Sequence, residues 1–268
     1  MRSSEWQPRG VLHPTAAEKF TLVRVPPAPA LAALVERYWI IKWDLRGQAP
    51  HLAQTLPQPY VNLVIEADKA RIYGVASQKY TNLLAGKGQV FGVKFKPGAC
   101  YPLLQQPLAT LTDHSLPIER LLGDAGTMWA AAIMALDDPA AMCTLANAFW
   151  TSRLPAPDET VTLVGTIVNQ IMADRTMCKV DDVAHHFGMS RRTLQRLFHR
   201  YVGVSPKWVI TRYRLHDAAE QLINGTGVTL ATMAQDLGYF DQAHFIKEFK
   251  AAVGLSPAEY ARAVEFAV

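Results

Sequence analysis

Between Ser190 and Arg214 the chain carries seven cations (Arg191, Arg192, Arg196, Arg200, Lys207, Arg212 and Arg214) and no carboxylate. A guanidinium can fork onto guanine O6 and N7, and the amide of Gln195 in the same run matches adenine N6 and N7. A salt-bridged helix face would show glutamate among the arginines, and none is present. The chemistry on offer is therefore recognition of a polyanion. The charge is local: after Ala156 there are 12 Lys+Arg against 12 Asp+Glu, a net of zero, and the whole chain is only +4. A concentrated patch, not the total, attracts a polyanion.

The elements that must position this run are written twice. Val183, Ala184 and Gly188 match Met233, Ala234 and Gly238 at an offset of 50. Beyond the glycine the offset becomes 51: Ser190 matches Asp241, Leu194 matches Phe245, Phe198 matches Phe249, Gly203 matches Gly254, and Ser205-Pro206 matches Ser256-Pro257. Each copy parses as helix, glycine turn, helix. Apolar residues recur at helical spacing, glycine supplies the left-handed residue that ends a helix, and Ser190 and Asp241 suit N-caps. Serine followed by proline then opens a further helix in each copy. The two units are expected at about 180–201 and 230–252. Between them, "PKWVITRYRLHDAAEQLI" has the pattern of one long helix, about 27 Å at 1.5 Å per residue. Such a rod can hold two recognition helices about one DNA turn, roughly 34 Å, apart.

The segment from about Thr160 to Val268 resembles the DNA-binding domain of the AraC/XylS family of bacterial transcription regulators, and "DLGYFDQAHFIKEFKAAVGLSPAEYAR" is close to that family's signature. The resemblance implies seven helices, two helix-turn-helix units, double-stranded promoter DNA and RNA polymerase as partners, and activation as the more frequent mode. It also implies a preceding half that senses a small-molecule effector or mediates assembly, often as a homodimer.

In the first unit the residues left outward are Arg191, Arg192, Gln195, Arg196 and His199. Base contact is expected from Arg192, Gln195 and Arg196, the positions with which the family reads bases, and phosphate contact from Arg191, Arg200 and Arg212. The second unit is less basic. Gln242, His244 and Lys247 are its candidates for bases, Lys250 for phosphate, and His244 could equally pack between helices. Lysine stands at 247 where the family commonly has arginine, so this head should read sequence more loosely.

The first half follows a different period. "RYWIIKWDL" separates Trp39, Ile41 and Trp43 from Tyr38, Ile40 and Lys42, and "YVNLVIE" groups Val61, Leu63 and Ile65. "QVFGVKFKPGA" sets Phe91, Val93 and Phe95 against Lys94 and Lys96. Alternation of this kind, with Gly and Pro turns, predicts strands over about 20–100 forming an antiparallel, barrel-like sheet, followed by helices over about 115–152. The expected architecture is thus an α+β domain over 1–153, a linker over 154–159 at "LPAPDE", and an all-α domain with two helix-turn-helix units over 160–268. A small molecule in the barrel would touch Trp39, Trp43 and Phe95, unless those aromatics are simply core. The helix over 127–136 carries a small-residue stripe, Met128, Ala131, Ala132 and Ala135, able to pack on the barrel or on a second copy.

Other chemistries find little support. His13, His51 and His114 are dispersed, so no metal or other cofactor is expected. There is no phosphate loop, nucleophile elbow or H-E-x-x-H. Some DNA-repair proteins join a DNA-binding domain of this kind to an alkyl-accepting cysteine, and Cys100 could be imagined in that role. With only three scattered cysteines there is no cluster to activate it, so the chain is not expected to be an enzyme. The N-terminus lacks an apolar signal region and no stretch is long enough for a bilayer, which predicts a cytoplasmic protein with no membrane partner. A purely architectural DNA binder would not need a separate strand-rich half.

Overall fold

The computed structural model describes residues 19–225 and 227–265. His13 and the N-terminal stretch considered above lie outside them. Strands β1 (Thr21–Val25), β2 (Val35–Asp44), β3 (His51–Thr55), β4 (Asn62–Ile65), β5 (Ala70–Tyr73), β6 (Tyr80–Leu84), β7 (Lys87–Phe95) and β8 (Ser115–Pro117) fill the first half. Six of them form one sheet in the order β1-β2-β7-β4-β5-β8, and β3 pairs with β6 in a second, two-stranded sheet. Every pairing is antiparallel.

The period of two sorts the large sheet into two faces. Tyr38 and Ile40 of β2, Leu63 and Ile65 of β4, and Phe91, Val93 and Phe95 of β7 are all buried in one core. Helices α2 (Glu119–Met134) and α3 (Pro139–Thr151) supply the other side of that core through Trp129, Ile133, Met142, Ala146 and Trp150. Gly123, at φ 58° and ψ −155°, breaks α2 into two helical pieces. The opposite face of the sheet carries Trp39, Ile41 and Trp43. The short helix α1 (Tyr101–Leu104) follows β7.

The second half is helical: α4 (Glu159–Ala173), α5 (Val180–His186), α6 (Arg191–Leu197), α7 (Pro206–Ile223), α8 (Leu230–Asp236), α9 (Gln242–Val253) and α10 (Pro257–Glu265). These seven helices, with the antiparallel sheet before them, are the architecture expected from the sequence. After Leu197, α6 runs on as a π-helical turn, Phe198–Val202. Two separate cores flank α7. Val209, Ile210 and Tyr213 of its first half pack with α4, α5 and α6. Leu215, Ala218 and Ala219 of its second half pack with α8, α9 and Tyr260 of α10. The central helix is continuous between them.

Candidate nucleic-acid interface and adjoining cavity

Local capping builds each helix-turn-helix. Gly188 takes φ 60° after α5, and Gly238 takes φ 76° after α8. Ser190 Oγ accepts from Thr193 N at 3.1 Å, and Asp241 Oδ1 accepts from His244 N at 2.7 Å. Ser205 caps α7 in the same way, accepting from Trp208 N at 3.1 Å. Thr229 caps α8, a position the sequence analysis left unassigned. Leu194 and Phe198 anchor α6, and Phe245 and Phe249 anchor α9; all four are fully buried. That rotation leaves one face of each second helix to solvent.

On α6, Arg191, Arg192, Gln195, Arg196 and His199 are exposed. Arg191 Nε lies 3.0 Å from Asp181 Oδ1 of α5, both side chains being well exposed. Exposed pairs of this kind contribute about 0–1 kcal/mol, so the arginine is easily redirected. Arg200 is also exposed, and its Nε and Nη2 donate to the Tyr101 hydroxyl of the first half while its guanidinium lies 4.7 Å from the Tyr101 ring. On α9, Gln242, His244, Lys247 and Lys250 are exposed. His244 Nε2 is 3.4 Å from Glu248 Oε1, and Lys250 Nζ is 4.0 Å from Glu259 Oε2. Glu248, a like charge to phosphate, is thus turned towards His244. Phe240, 95 % exposed in the turn before α9, was not singled out from sequence; a fully solvated phenyl beside three candidate base readers has the chemistry for a thymine methyl.

Two members of the basic run are not on this surface. Arg212, expected at phosphate, is 6 % exposed. Its Nη2 donates to Ser77 O at 2.8 Å, its guanidinium lies 4.6 Å from the Trp208 ring, and burial lowers its pKa to about 10. Arg214 is 1 % exposed, pairs with Asp217 at 2.9 Å, and donates to Ile171 O and Asp174 O. Both corrections have one cause: α7 is wedged between two cores and has little solvent face.

In the first half a cavity of about 1000 Å³ lies between the large sheet and the β3–β6 pair. Trp39 and Trp43 line it. Each ring lies across a glycine of the neighbouring strand: Trp39 pairs with Gly92 and Trp43 with Gly88. A Cβ on Gly92 would come 1.9 Å from Trp39 Cε2, and one on Gly88 2.3 Å from Trp43 Cζ2. Phe95 does not line the cavity. It is 1 % exposed on the other face, with its ring 5.2 Å from that of Trp150. Trp39 stands opposite Gly92 and, in the same register, Arg37 stands opposite Lys94, so the even-numbered residues of β7 share the tryptophan face while Phe95 lies with Phe91 and Val93 on the core face.

Cys100 is 2 % exposed in the first core, and burial pushes its thiol well above the usual range. That is the opposite of an activated thiolate. No group of three or more His, Cys, Asp or Glu side chains able to hold a metal occurs among the described residues. No helix among them is long and apolar enough to cross a membrane.

Two helix-turn-helix units on one continuous rod define a class, and the comparisons fit it. Residues 183–263 match the family described as a helix-turn-helix domain, and residues 23–117 match a domain of unknown function (DUF6597). The raffinose operon transcriptional regulatory protein RafR of Pediococcus pentosaceus is 33 % identical over 89 residues, covering 33 % of this chain and 32 % of RafR. The HTH-type transcriptional activator AarP of Providencia stuartii is 36 % identical over 81 residues, 30 % of this chain and 59 % of AarP. An AraC-like transcription regulator of Streptomyces lividans is 37 % identical over 81 residues, 30 % of this chain and 26 % of that protein. The chain thus matches about a third of RafR's length, and its C-terminal segment is an AraC-type helix-turn-helix domain. These relatives are described as transcription regulators or activators.

Proposed function

We propose that the protein is a sequence-specific DNA-binding transcription regulator that inserts α6 and α9 into successive major grooves of promoter DNA. In this reading residues 1–153 are a sensor and dimerisation domain, 154–159 a linker and 160–268 the DNA-binding domain. Arg192, Gln195 and Arg196 read bases from α6; Gln242, His244 and Lys247 do so from α9. Arg191, Arg200 and Lys250 hold phosphate. The protein works in the cytoplasm without a catalytic step of its own. It acts as an activator in contact with RNA polymerase, a direction supported by its similarity to the transcriptional activator AarP.

The observation that carries the reading is the repeated geometry: buried Leu194 and Phe198 under an exposed Arg192–Gln195–Arg196 face, matched by buried Phe245 and Phe249 under Gln242 and Lys247, with an unbroken helix between. Because the rod fixes the separation of the heads, the two half-sites must lie on one face of the duplex. The test is to select a binding site from random DNA and then change the spacing between its halves. An insertion of about 5 bp rotates one half-site by half a turn and should reduce affinity to that of a single half-site, while about 10 bp should remain weak because the rod cannot lengthen. Affinity indifferent to spacing would refute the rigid two-headed reader.

The stripe Met128, Ala131, Ala132 and Ala135 is exposed on α2, whereas Trp129, Ala130 and Ile133 face the core. This favours a second copy, not the sheet, as its partner, and sedimentation of a Met128→Glu variant tests it.

A further inference from the structure

The strand register gives the cavity two unlike ends. In one cross-strand row Arg37 of β2 stands opposite Lys94 of β7, which stands opposite Asn62 of β4, which stands opposite Tyr73 of β5. All four line the cavity, and Arg24 of β1, paired with Trp39, joins them. Further along the same strands the lining turns apolar: Leu22 and Ile41 are cross-strand partners, Ile41 pairs with Val90, and Trp43 lies over Gly88. Arg24, Arg37 and Lys94 therefore gather at one end, while Leu22, Ile41, Trp43 and Val90 form an apolar stretch of the lining further along the same strands.

Neutralisation of that end is incomplete. Arg37 Nη2 reaches Glu36 Oε1 at 3.4 Å, but its buried Nε has no hydrogen-bond partner among the described residues. No carboxylate among them lies within ion-pair distance of Arg24. Among the described residues Lys94 has only a neutral acceptor, Gln58 Oε1, and the Tyr60 ring at 3.7 Å. The other lining carboxylates are engaged elsewhere: Glu66 with Lys69 at 3.1 Å, and Asp113 with Ser77 N and Oγ at 2.6 and 2.7 Å. With one charge on each of Arg24, Arg37, Lys94 and Glu36, the sum is +2. Keeping such charges together in a partly desolvated space is unfavourable unless an anion completes it. The protein shows that cost at Lys94, whose pKa burial, Arg37 and Arg24 lower to about 7 against the opposing pull of Glu36.

We propose that this cavity binds a small molecule with an anionic head, a carboxylate or phosphate monoester, seated among Arg24, Arg37 and Lys94, and with a flat apolar body lying against Trp39 and Trp43. The proposal rests on reading the first half as a sensor. Arginine supplies the planar fork that carboxylate and phosphate both fit. Lys94 adds a proton-dependent charge. Facing it are Arg37 and Glu36 from β2, Arg24 from β1, Asn62 from β4, and Gln58 and Tyr60 from the segment before β4. When the anion binds, the Lys94 pKa rises and a proton is taken up, so affinity is flat below about pH 7 and falls by up to tenfold per pH unit above it.

Calorimetry on the full chain provides the test, with indole-3-acetate, 4-biphenylcarboxylate and phenyl phosphate as probes, each beside its neutral amide or alcohol. At least one acid should bind ten or more times tighter than its neutral counterpart, and which acid does so distinguishes carboxylate from phosphate. Arg24→Gln should cut that preference about tenfold while neutral binding is retained. Lys94→Gln should do likewise and abolish the pH dependence. Trp39→Ala should weaken acid and neutral probe together, and melting temperatures would identify any variant that had lost its fold. Neutral probes binding as well as the acids, no acid binding below millimolar, or an acid preference indifferent to both Arg24→Gln and Lys94→Gln would each overturn the proposal. Operator binding measured on the same samples is a separate readout: its loss would sink the regulator reading and leave the cavity result standing.

Discussion

Alanine at Arg196 and alanine at Arg200 should weaken DNA binding in different ways, and the difference follows from where each guanidinium sits. Arg196 is exposed on α6 with no ion-pair partner among the described residues. Its removal relieves nothing inside the protein, so the full value of a bidentate base contact, about 1–3 kcal/mol or roughly 5- to 150-fold, should appear, and only on the selected site. Arg200 is further along, exposed and bonded to the Tyr101 hydroxyl, and is proposed to hold phosphate. Its loss should weaken site and scrambled DNA alike. Each phosphate contact contributes about 0.9 to the slope of log K against log salt. Between 50 and 200 mM salt, Arg200→Ala should therefore reduce the total loss of affinity by a factor of about 3.5, which is four raised to the power of about 0.9. Tyr101→Phe removes the hydroxyl acceptor and should leave the salt slope as in the parent. Fluorescence anisotropy on selected and scrambled duplexes across that salt range measures all of this. If Arg196→Ala left the ratio of selected to scrambled affinity intact, or if both arginine variants changed the slope equally, the division of α6 into base and phosphate readers would be wrong.

Two further outcomes concern the scaffold. Arg214→Ala removes a buried cation that holds Asp217 and two carbonyl oxygens, leaving that carboxylate with the largely exposed Arg175 at 3.6 Å; urea unfolding should show a loss of about 3–5 kcal/mol, and under 1 kcal/mol would mean the cluster contributes little. Gly92→Ala drives a methyl into the Trp39 ring, so overpacking of about 1–3 kcal/mol should exceed the sub-kilocalorie gain from a less flexible unfolded chain. Tryptophan fluorescence should shift with it, and an unchanged spectrum and melting temperature would refute the ring-on-glycine packing.

The helix-turn-helix half was legible because its signals are local. Ser190, Ser205 and Asp241 are caps by residue type and position, and Gly188, Gly203, Gly238 and Gly254 all take positive φ where the sequence needs helices to stop. What failed there was Arg212 and Arg214. Helical periodicity identifies neighbours on a face but not how many faces are covered, and α7 is covered by a core at each end. In the sheet, alternation grouped Trp39 with Trp43 and Phe91 with Phe95 correctly, strand by strand. Which group of one strand faces which group of the next depends on register, and a one-residue shift exchanges every side chain between faces. That relation, Trp39 opposite Gly92 and Arg37 opposite Lys94, has no signature in residue type. Phe95 was therefore assigned to the cavity, and Lys94, which lines it, was not.

The cavity and the reading heads share structural members, which supplies a route between them. Leu56 lines the cavity, yet it is 1 % exposed within the core of the second helix-turn-helix unit. The next residue, Pro57, offers its carbonyl to His216 Nε2 of α7 at 3.2 Å, and Gln58 beyond it accepts from Lys94. On the other rim, Ser77 O receives both Trp208 Nε1 and Arg212 Nη2 of α7, and Lys79 Nζ donates to Val253 O at the end of α9. An anion that drew Lys94 away from Gln58 would thus act two residues from a side chain embedded under α9. Packed cores respond to such displacements by choosing between arrangements, because they resist continuous deformation. Coupling of this kind must be reciprocal: a ligand that tightens DNA binding is itself bound more tightly by the DNA complex, by the same factor. Leu56→Ala should break the linkage. It leaves Arg24, Arg37 and Lys94 in place, so the preference for an acid over its neutral counterpart is retained while the factor by which operator DNA changes ligand affinity falls towards one. An undiminished factor in a folded Leu56→Ala protein would exclude this segment as the connection.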